Sequence, residues 1–366
     1  MAAAACSSSS TSGSPDSDAG LDSSAAVDST TSGEAGADGG NDATESDTGN
    51  DSGAGDAGVE AGEAGPPPVA LVSDAPNAWL IATDGTSVYW IDWVTTDAGT
   101  QNGRVMQVAV DGGNETPLAI TPGVIPVGLA IDTGNVYWTE SDSKLWQVSK
   151  SGGSPTQLQD AAVAAPLTAA GGFIYFRPAG DGGVRAVPVD GGAVTTLAST
   201  GNPVDFVVVA GGVYWADTAG HIAYVTIADA GVPANLVNGI PGQYVSATIY
   251  QNLATDGTNL YWPLGPGGIT SAVMAVPLSG GTPQVLVEAG TDSPRSVATD
   301  GTRVYYLDVT GSVALVAIPV DGGTPVTITT AGLGSADISG TPGPTIAVDS
   351  TSVYWLNPPQ IMRIGK

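Results

Sequence analysis

The chain has one histidine, His221, and one cysteine, Cys6, among its 366 residues. A Ser-His-Asp or Cys-His nucleophile would have to be built on His221. A Cys/His zinc cluster lacks ligands, and no disulfide forms within the chain. His221 follows Gly220 at the start of a strand and is read as a surface or packing residue. There is no G-x-x-x-x-G-K-[ST] loop, no H-E-x-x-H pair and no G-x-S-x-G elbow. Carboxylates are plentiful, with 36 Asp and Glu against 9 Lys and Arg for a net charge of −27. Asp84, Asp132, Asp256, Asp300 and Asp349 recur at one turn of a repeat. They could ring one face and hold a cation. The commoner work of Asp in a turn is to accept its own backbone N–H groups, and that reading is preferred. The acids Asp16, Asp18 and Asp47 to Asp51 lack the full calcium-loop spacing and its closing Glu. No cofactor is therefore expected, with Ca²⁺ as the one candidate. Nine basic residues cannot neutralise a run of phosphates, which argues against nucleic acid. No stretch reaches the ~18 apolar residues of a membrane helix.

The elements that would position such groups come from an internal repeat. A two-aromatic signature occurs at Tyr89-Trp90, Tyr137-Trp138, Tyr175-Phe176, Tyr214-Trp215, Tyr261-Trp262, Tyr305-Tyr306 and Tyr354-Trp355. Successive copies lie 48, 38, 39, 47, 44 and 49 residues apart, the period of propeller blades. Each unit reads as four strands. A short apolar run such as Leu80 to Ala82 ends in a turn such as Asp84-Gly85. The aromatic strand follows, apolar on both faces. After a variable loop, a third strand ends in Asp-Gly-Gly or Ser-Gly-Gly, and a fourth, such as Thr195 to Ala198, closes the unit. The expected fold is all-β: a seven-bladed β-propeller of four-stranded antiparallel blades. The seventh unit ends after its third strand, Gln360 to Ile364, and an orphan strand, Val69 to Val72, precedes the first. Pairing the two closes the ring, so residues 67–366 read as one complete propeller.

Residues 1–66 carry 13 acidic groups and no Lys, Arg or aromatic side chain. Such a segment buries too little to offset its ordering entropy and is expected to be a disordered, self-repelling acidic tether. Ala3-Ala4-Ala5-Cys6 resembles the end of a bacterial lipoprotein signal, which makes Cys6 the candidate lipidation site. No basic and apolar region precedes Cys6, so a start codon placed too far downstream, or a truncated sequence, is expected. The resemblance implies a lipid-anchored, cell-envelope or extracellular protein, with membrane contact only through that anchor. If the sequence is complete, a cytoplasmic location follows instead.

Val136-Tyr137-Trp138-Thr139-Glu140 resembles the repeat of YWTD-type propellers, and the likeness covers nearly all of residues 67–366. The fourth signature position carries Asp92, Glu140, Asp217, Asp308 and Asn357 but departs at Pro178 and Leu264. Seven signatures also depart from the usual six blades of that family. The pattern is similar to repeats of bacterial surface lipoproteins of unassigned function. The resemblance implies that Asp92, Asp217 and Asp308 hydrogen-bond between neighbouring blades, and that the protein binds or scaffolds.

In a four-stranded blade the first-to-second and third-to-fourth turns share one face of the disc. Here those turns are short and uniform, while the connections on the opposite face vary. Function is expected on the variable face, with Trp93, Arg177, Gln243, Tyr244 and Tyr250 as candidate binding residues. Tyr and Trp are the usual anchors of an interface, whereas Trp79 and Tyr250 also fit as core residues at the start of innermost strands. The leading functional reading is a non-enzymatic binding or scaffold module for a protein or glycan of the cell envelope. The folded part carries 23 acids against 9 bases, which favours a neutral or basic partner. The alternative is a propeller enzyme of lyase or metal-dependent hydrolase or lactonase type, with its site on the same face.

Overall fold

The computed structural model describes residues 66–160, 163–180, 182–217, 221–238, 253–264, 271–289, 294–308, 313–333 and 346–366. Cys6, Gln243, Tyr244 and Tyr250 lie outside these residues. The described strands form seven four-stranded antiparallel sheets. Six blades are continuous in sequence, the first running from the inner strand Leu80–Thr83 through Ser87–Thr95 and Gln101–Ala109 to the outer strand Thr116–Pro122. The seventh takes three strands from the end of the chain, Ile346–Val348, Ser352–Asn357 and Gln360–Gly365. Its outer strand is Val69–Val72, which pairs with the last of them through Val69↔Arg363 and Ala70↔Met362. Inner strands of successive blades touch all the way round, including the first and seventh, so the ring is closed.

The signature aromatics explain why the sheets stack in this way. Consecutive residues of a strand point to opposite faces, so each pair splits between two seams. Tyr89 enters the cluster shared with the second blade, beside Val136 and Trp138. Trp90 enters the cluster shared with the seventh, beside Tyr354 and Leu356. The same division recurs round the ring. Tyr214 packs towards the fifth blade and Trp215 towards the third, while Tyr305 packs towards the seventh and Tyr306 towards the fifth. Every seam thus receives a Tyr from the blade before it and a second aromatic from the blade after it.

The uniform face is built from the repeated acids. Asp132 Oδ1 accepts the amides of Gly134 and Asn135 at 2.8 and 2.7 Å, and Oδ2 accepts the Tyr137 hydroxyl at 2.7 Å. Asp84, Asp256, Asp300 and Asp349 bind Tyr89, Tyr261, Tyr305 and Tyr354 in the same way, at 2.6–3.0 Å. The turn reading of these acids is therefore what the structure shows, with an added bond to the signature Tyr. Two of the carboxylates also tie blades together. Lys150 of the second blade donates to Asp84 of the first at 2.7 Å, and Lys366 of the seventh to Asp300 of the sixth at 2.6 Å. Each ammonium lies over the ring of the Tyr that the same Asp holds, Tyr89 and Tyr305. On the third-to-fourth turns the second glycine has φ of 124–137° at Gly113, Gly153, Gly192, Gly281 and Gly323, where a Cβ would be strained.

Burial alone would raise the pKa of these acids, but the hydrogen bonds they accept hold all five below the ordinary carboxylate value. Burial, and then the Asp partner, pushes Tyr89 and Tyr354 up to about 12. A depressed carboxylate stabilises above its unfolded pKa, and that stability is lost as pH falls through the folded value. A raised phenol stabilises below its unfolded pKa and loses that contribution as pH rises through the folded one. Chemical denaturation should therefore show a stability plateau from about pH 4 to pH 10, falling on either side. Tyr137→Phe should cost about 1.5 kcal/mol, the worth of a hydrogen bond to a charged group. Tyr175→Phe, in the blade whose turn is Ala170-Gly171-Gly172, should cost less than about half of that. Equal losses for the two variants would show that the Tyr–Asp bond adds nothing.

Candidate functional site

The variable face collects the C-terminal ends of the aromatic strands and the N-terminal ends of the inner ones. Its acids are held from within. Asp92 is 1% exposed and takes a bidentate bond from Arg104, Nε to Oδ1 at 2.7 Å and Nη2 to Oδ2 at 2.6 Å, with the Trp90 indole at 3.3 Å. The two residues oppose each other across the strand pair, which puts their side chains on one face. Asp217 accepts both the amide and Nδ1 of His221 at 2.9 Å. The bonds of Asp92 lie within its own blade, not between neighbours, and correct the expectation drawn from the YWTD likeness for that residue. The reason is register: the nearest cation or donor is a cross-strand or hairpin neighbour of the acid itself.

Glu140, 5% exposed, is held differently. Its oxygens accept the Trp138 indole at 3.1 Å and the Trp146 indole at 2.9 Å, and the two rings stack with centroids 6.5 Å apart. Burial raises its pKa more than the indoles lower it.

Of the predicted binding residues, Trp93 is partly buried and meets Trp79 edge-on, with centroids 6.0 Å apart and planes at 84°. Asn77 Nδ2 donates to the Trp93 carbonyl at 2.8 Å. Their hairpin has strands of nine residues, against six and five in the second blade. It leans on the second blade at Gly103, where a Cβ would come within 2.2 Å of the Pro126 ring. Arg177 is turned inward: its Nε donates to the Ala165 carbonyl at 3.1 Å, so it supports its own inner strand. Trp79 is partly buried against the seam between the first two blades.

At the axis the inner strands of the first five blades enclose a cavity of about 190 Å³. Leu80, Gly128, Pro166, Leu167, Phe206 and Leu253 line it together with Thr168 and Asp205, and the surface it exposes is more polar than apolar. Asp205 Oδ2 accepts the Leu253 amide at 3.0 Å and links the fourth blade to the fifth. The volume is below the roughly 300 Å³ of common small-molecule sites. Periodicity along single strands could not reveal this cavity, because its walls come from five repeats. Among the described residues no three His, Cys, Asp or Glu come together as a metal cluster. The inner strands also share a distortion. Register slips near the variable-face end in the second, third, fourth and sixth blades.

Two substitutions separate the two kinds of buried acid. Arg104→Met leaves Asp92 charged, buried and unpaired, and should cost about 3–5 kcal/mol. Glu140→Gln removes a charge that burial disfavours but turns an NH₂ group, which cannot accept, towards one of the two indole N–H donors, and should cost about 1–2 kcal/mol at pH 7. The cost should grow near pH 4, since the wild-type carboxylate, with its raised folded pKa, is protonated there in the folded state and largely in the unfolded one, and the charge penalty that the variant relieves is gone. Urea denaturation at the two pH values reads both effects.

No protein-family model matches the chain, and no curated protein matches it significantly. Solved structures do resemble it. YCF48 bound to D1 peptide aligns with a TM-score of 0.57 at 12% identity, covering 82% of this chain and 94% of that one. The β-propeller domain of the Trilobed protease from Pyrococcus furiosus gives 0.53 at 9% identity, with 80% and 94% covered. A puromycin-hydrolyzing peptidase from Mycobacterium tuberculosis gives 0.50 at 16% identity, and its alignment covers 82% of this chain and 54% of that one. At these identities the likeness is one of fold, and that fold is the β-propeller.

Proposed function

We propose that the protein is a non-enzymatic binding or scaffold propeller of a cell-envelope lipoprotein, related in its repeat to YWTD-type propellers. Cys6 would carry the lipid, residues 1–66 would act as the tether, and residues 67–366 would present the variable face to a protein or glycan. The observation that carries this reading is the difference between the two faces. One is a repeated set of Asp–Tyr turns with their carboxylates engaged. The other rises in the first blade as a long hairpin with the partly buried Trp79–Trp93 pair at its base. An amphipathic aromatic pair on a rigid hairpin is the kind of anchor that contributes most to an interface. That a propeller of similar fold, YCF48, is bound to a peptide supports a protein partner. The excess of acids favours a partner that is neutral or basic.

The test uses the full chain as bait in a cross-linked envelope extract of the source cell. It is compared with Trp93→Ala and with Val194→Thr, an exposed site on the uniform face. A component captured stoichiometrically by the wild type and Val194→Thr, and lost with Trp93→Ala, is the expected result. Capture unaffected by Trp93→Ala, or no capture by folded bait, would remove the proposed face. Fatty-acid labelling of the wild type but not of Cys6→Ala, expressed from the full upstream reading frame, is expected if the anchor is as read.

A further inference from the structure

We infer that Arg295 and Ser296, at the variable-face end of the sixth blade's innermost strand, form a seat for a carboxylate. Arg295 is the second residue of the strand Pro294–Thr299 and opposes Leu307 across the sheet. Leu307 belongs to the seam with the seventh blade, so the arginine lies on that side of its sheet. Arg295 is partly buried, and its Nε is fully buried with no hydrogen-bond partner among the described residues. The next residue, Ser296, is 3% exposed, and its hydroxyl also lacks a partner. Register slips between Arg295 and Val297, which leaves Ser296 in the bulge with φ of 45°. Two adjacent orphan donors on a strained backbone stand at one end of an innermost strand. Such strain is retained where the site has a use for it.

The isolation of Arg295 is conspicuous in this chain, where 36 acids face 9 bases. Arg104, Lys144, Lys150 and Lys366 each hold an aspartate. Arg177 and Arg363 are spent on main-chain or hydroxyl oxygens. Arg295 has none of these, and burial lowers its pKa with nothing opposing it. A partly buried cation with no partner costs stability, and a ligand that completes it recovers that cost. The free Nε edge of a guanidinium matches a planar carboxylate, with two N–H groups to two oxygens. A single cation balances a carboxylate's one charge, whereas a phosphate dianion would be left half-compensated in an acidic protein. This inference does not depend on the module reading, because such a seat serves a binding propeller or an enzyme alike.

Thermal melting at constant ionic strength tests it on the full chain, with acetate, an acetylated tripeptide bearing a free C-terminal carboxylate, and its amide as probes. The wild type should melt higher with the free-acid peptide and not with the amide. A response to acetate as strong as to the peptide would point to a small acid, and a response to the peptide alone would point to a chain terminus. Arg295→Met should melt higher than the wild type in chloride and lose the response. Arg295→Lys, which keeps the charge without the fork, should bind at least tenfold more weakly. Titration of the Arg295 Nε–H resonance by NMR gives a second readout if the Met variant does not fold. No wild-type response to either carboxylate, a response to the amide equal to that to the free acid, an equal response in Arg295→Met, or an Nε–H signal unmoved by the free-acid peptide would each overturn the proposal.

Discussion

The ring depends on a division of labour between neighbouring residues of one strand. Because side chains alternate across a pleated sheet, two consecutive aromatics cannot serve the same seam. Tyr89 goes forward to the second blade and Trp90 back to the seventh, and each later pair does the same. A blade is therefore apolar on both faces and has no stable surface of its own until it is flanked. The seams are filled by large, rigid side chains, all but Phe176 with a polar tip. Those tips fix the ring as well as filling space: in five blades the Tyr hydroxyl reaches the Asp of its own first turn, and the indoles of Trp90 and Trp138 reach the acid two residues on.

These polar tips give the two faces their different characters. On the uniform face the carboxylates are engaged by backbone amides, phenols and, in two blades, a lysine from the following blade. The latches sit at equivalent places, since Lys150 and Lys366 both follow the third strand of their blades, where other blades carry Val110 or Val189. On the opposite face the acids find individual partners: a bidentate arginine for Asp92, two indoles for Glu140, a histidine for Asp217. Repetition produced the scaffold, and departures from repetition mark where the blades have been individualised.

The sequence made the architecture legible because its signals are local and periodic. The aromatic pairs, the Asp-Gly turns and the orphan strand Val69–Val72 could each be read from a few adjacent residues. The partners on the variable face could not be read in the same way. Whether Asp92 meets a neighbouring blade or Arg104 depends on the register of a hairpin that pairs residues twelve apart in sequence. Nothing near Arg177 in sequence shows that the Ala165 carbonyl is within reach of its Nε. The axial cavity is assembled from five repeats, and the lack of a partner for the Arg295 Nε among the described residues depends on several segments at once. Gln243, Tyr244 and Tyr250 lie outside the described residues.

The closing strand has a consequence for the order in which the molecule is made. Val69–Val72 leaves the ribosome before any blade, yet its partner Gln360–Gly365 follows all six of the continuous blades. Six blades can pair their own strands as they emerge, and each new one can dock on its predecessor. Throughout that time the first blade's back seam, with Trp90 and Met106, has nothing against it, and the β-strand that will seal the seventh sheet stays unpaired. A short strand of four residues offers little to a passing edge, which limits premature pairing between nascent chains. Closure of the ring is thus delayed by construction, and the slow, long-range contact waits until the seventh blade has been made.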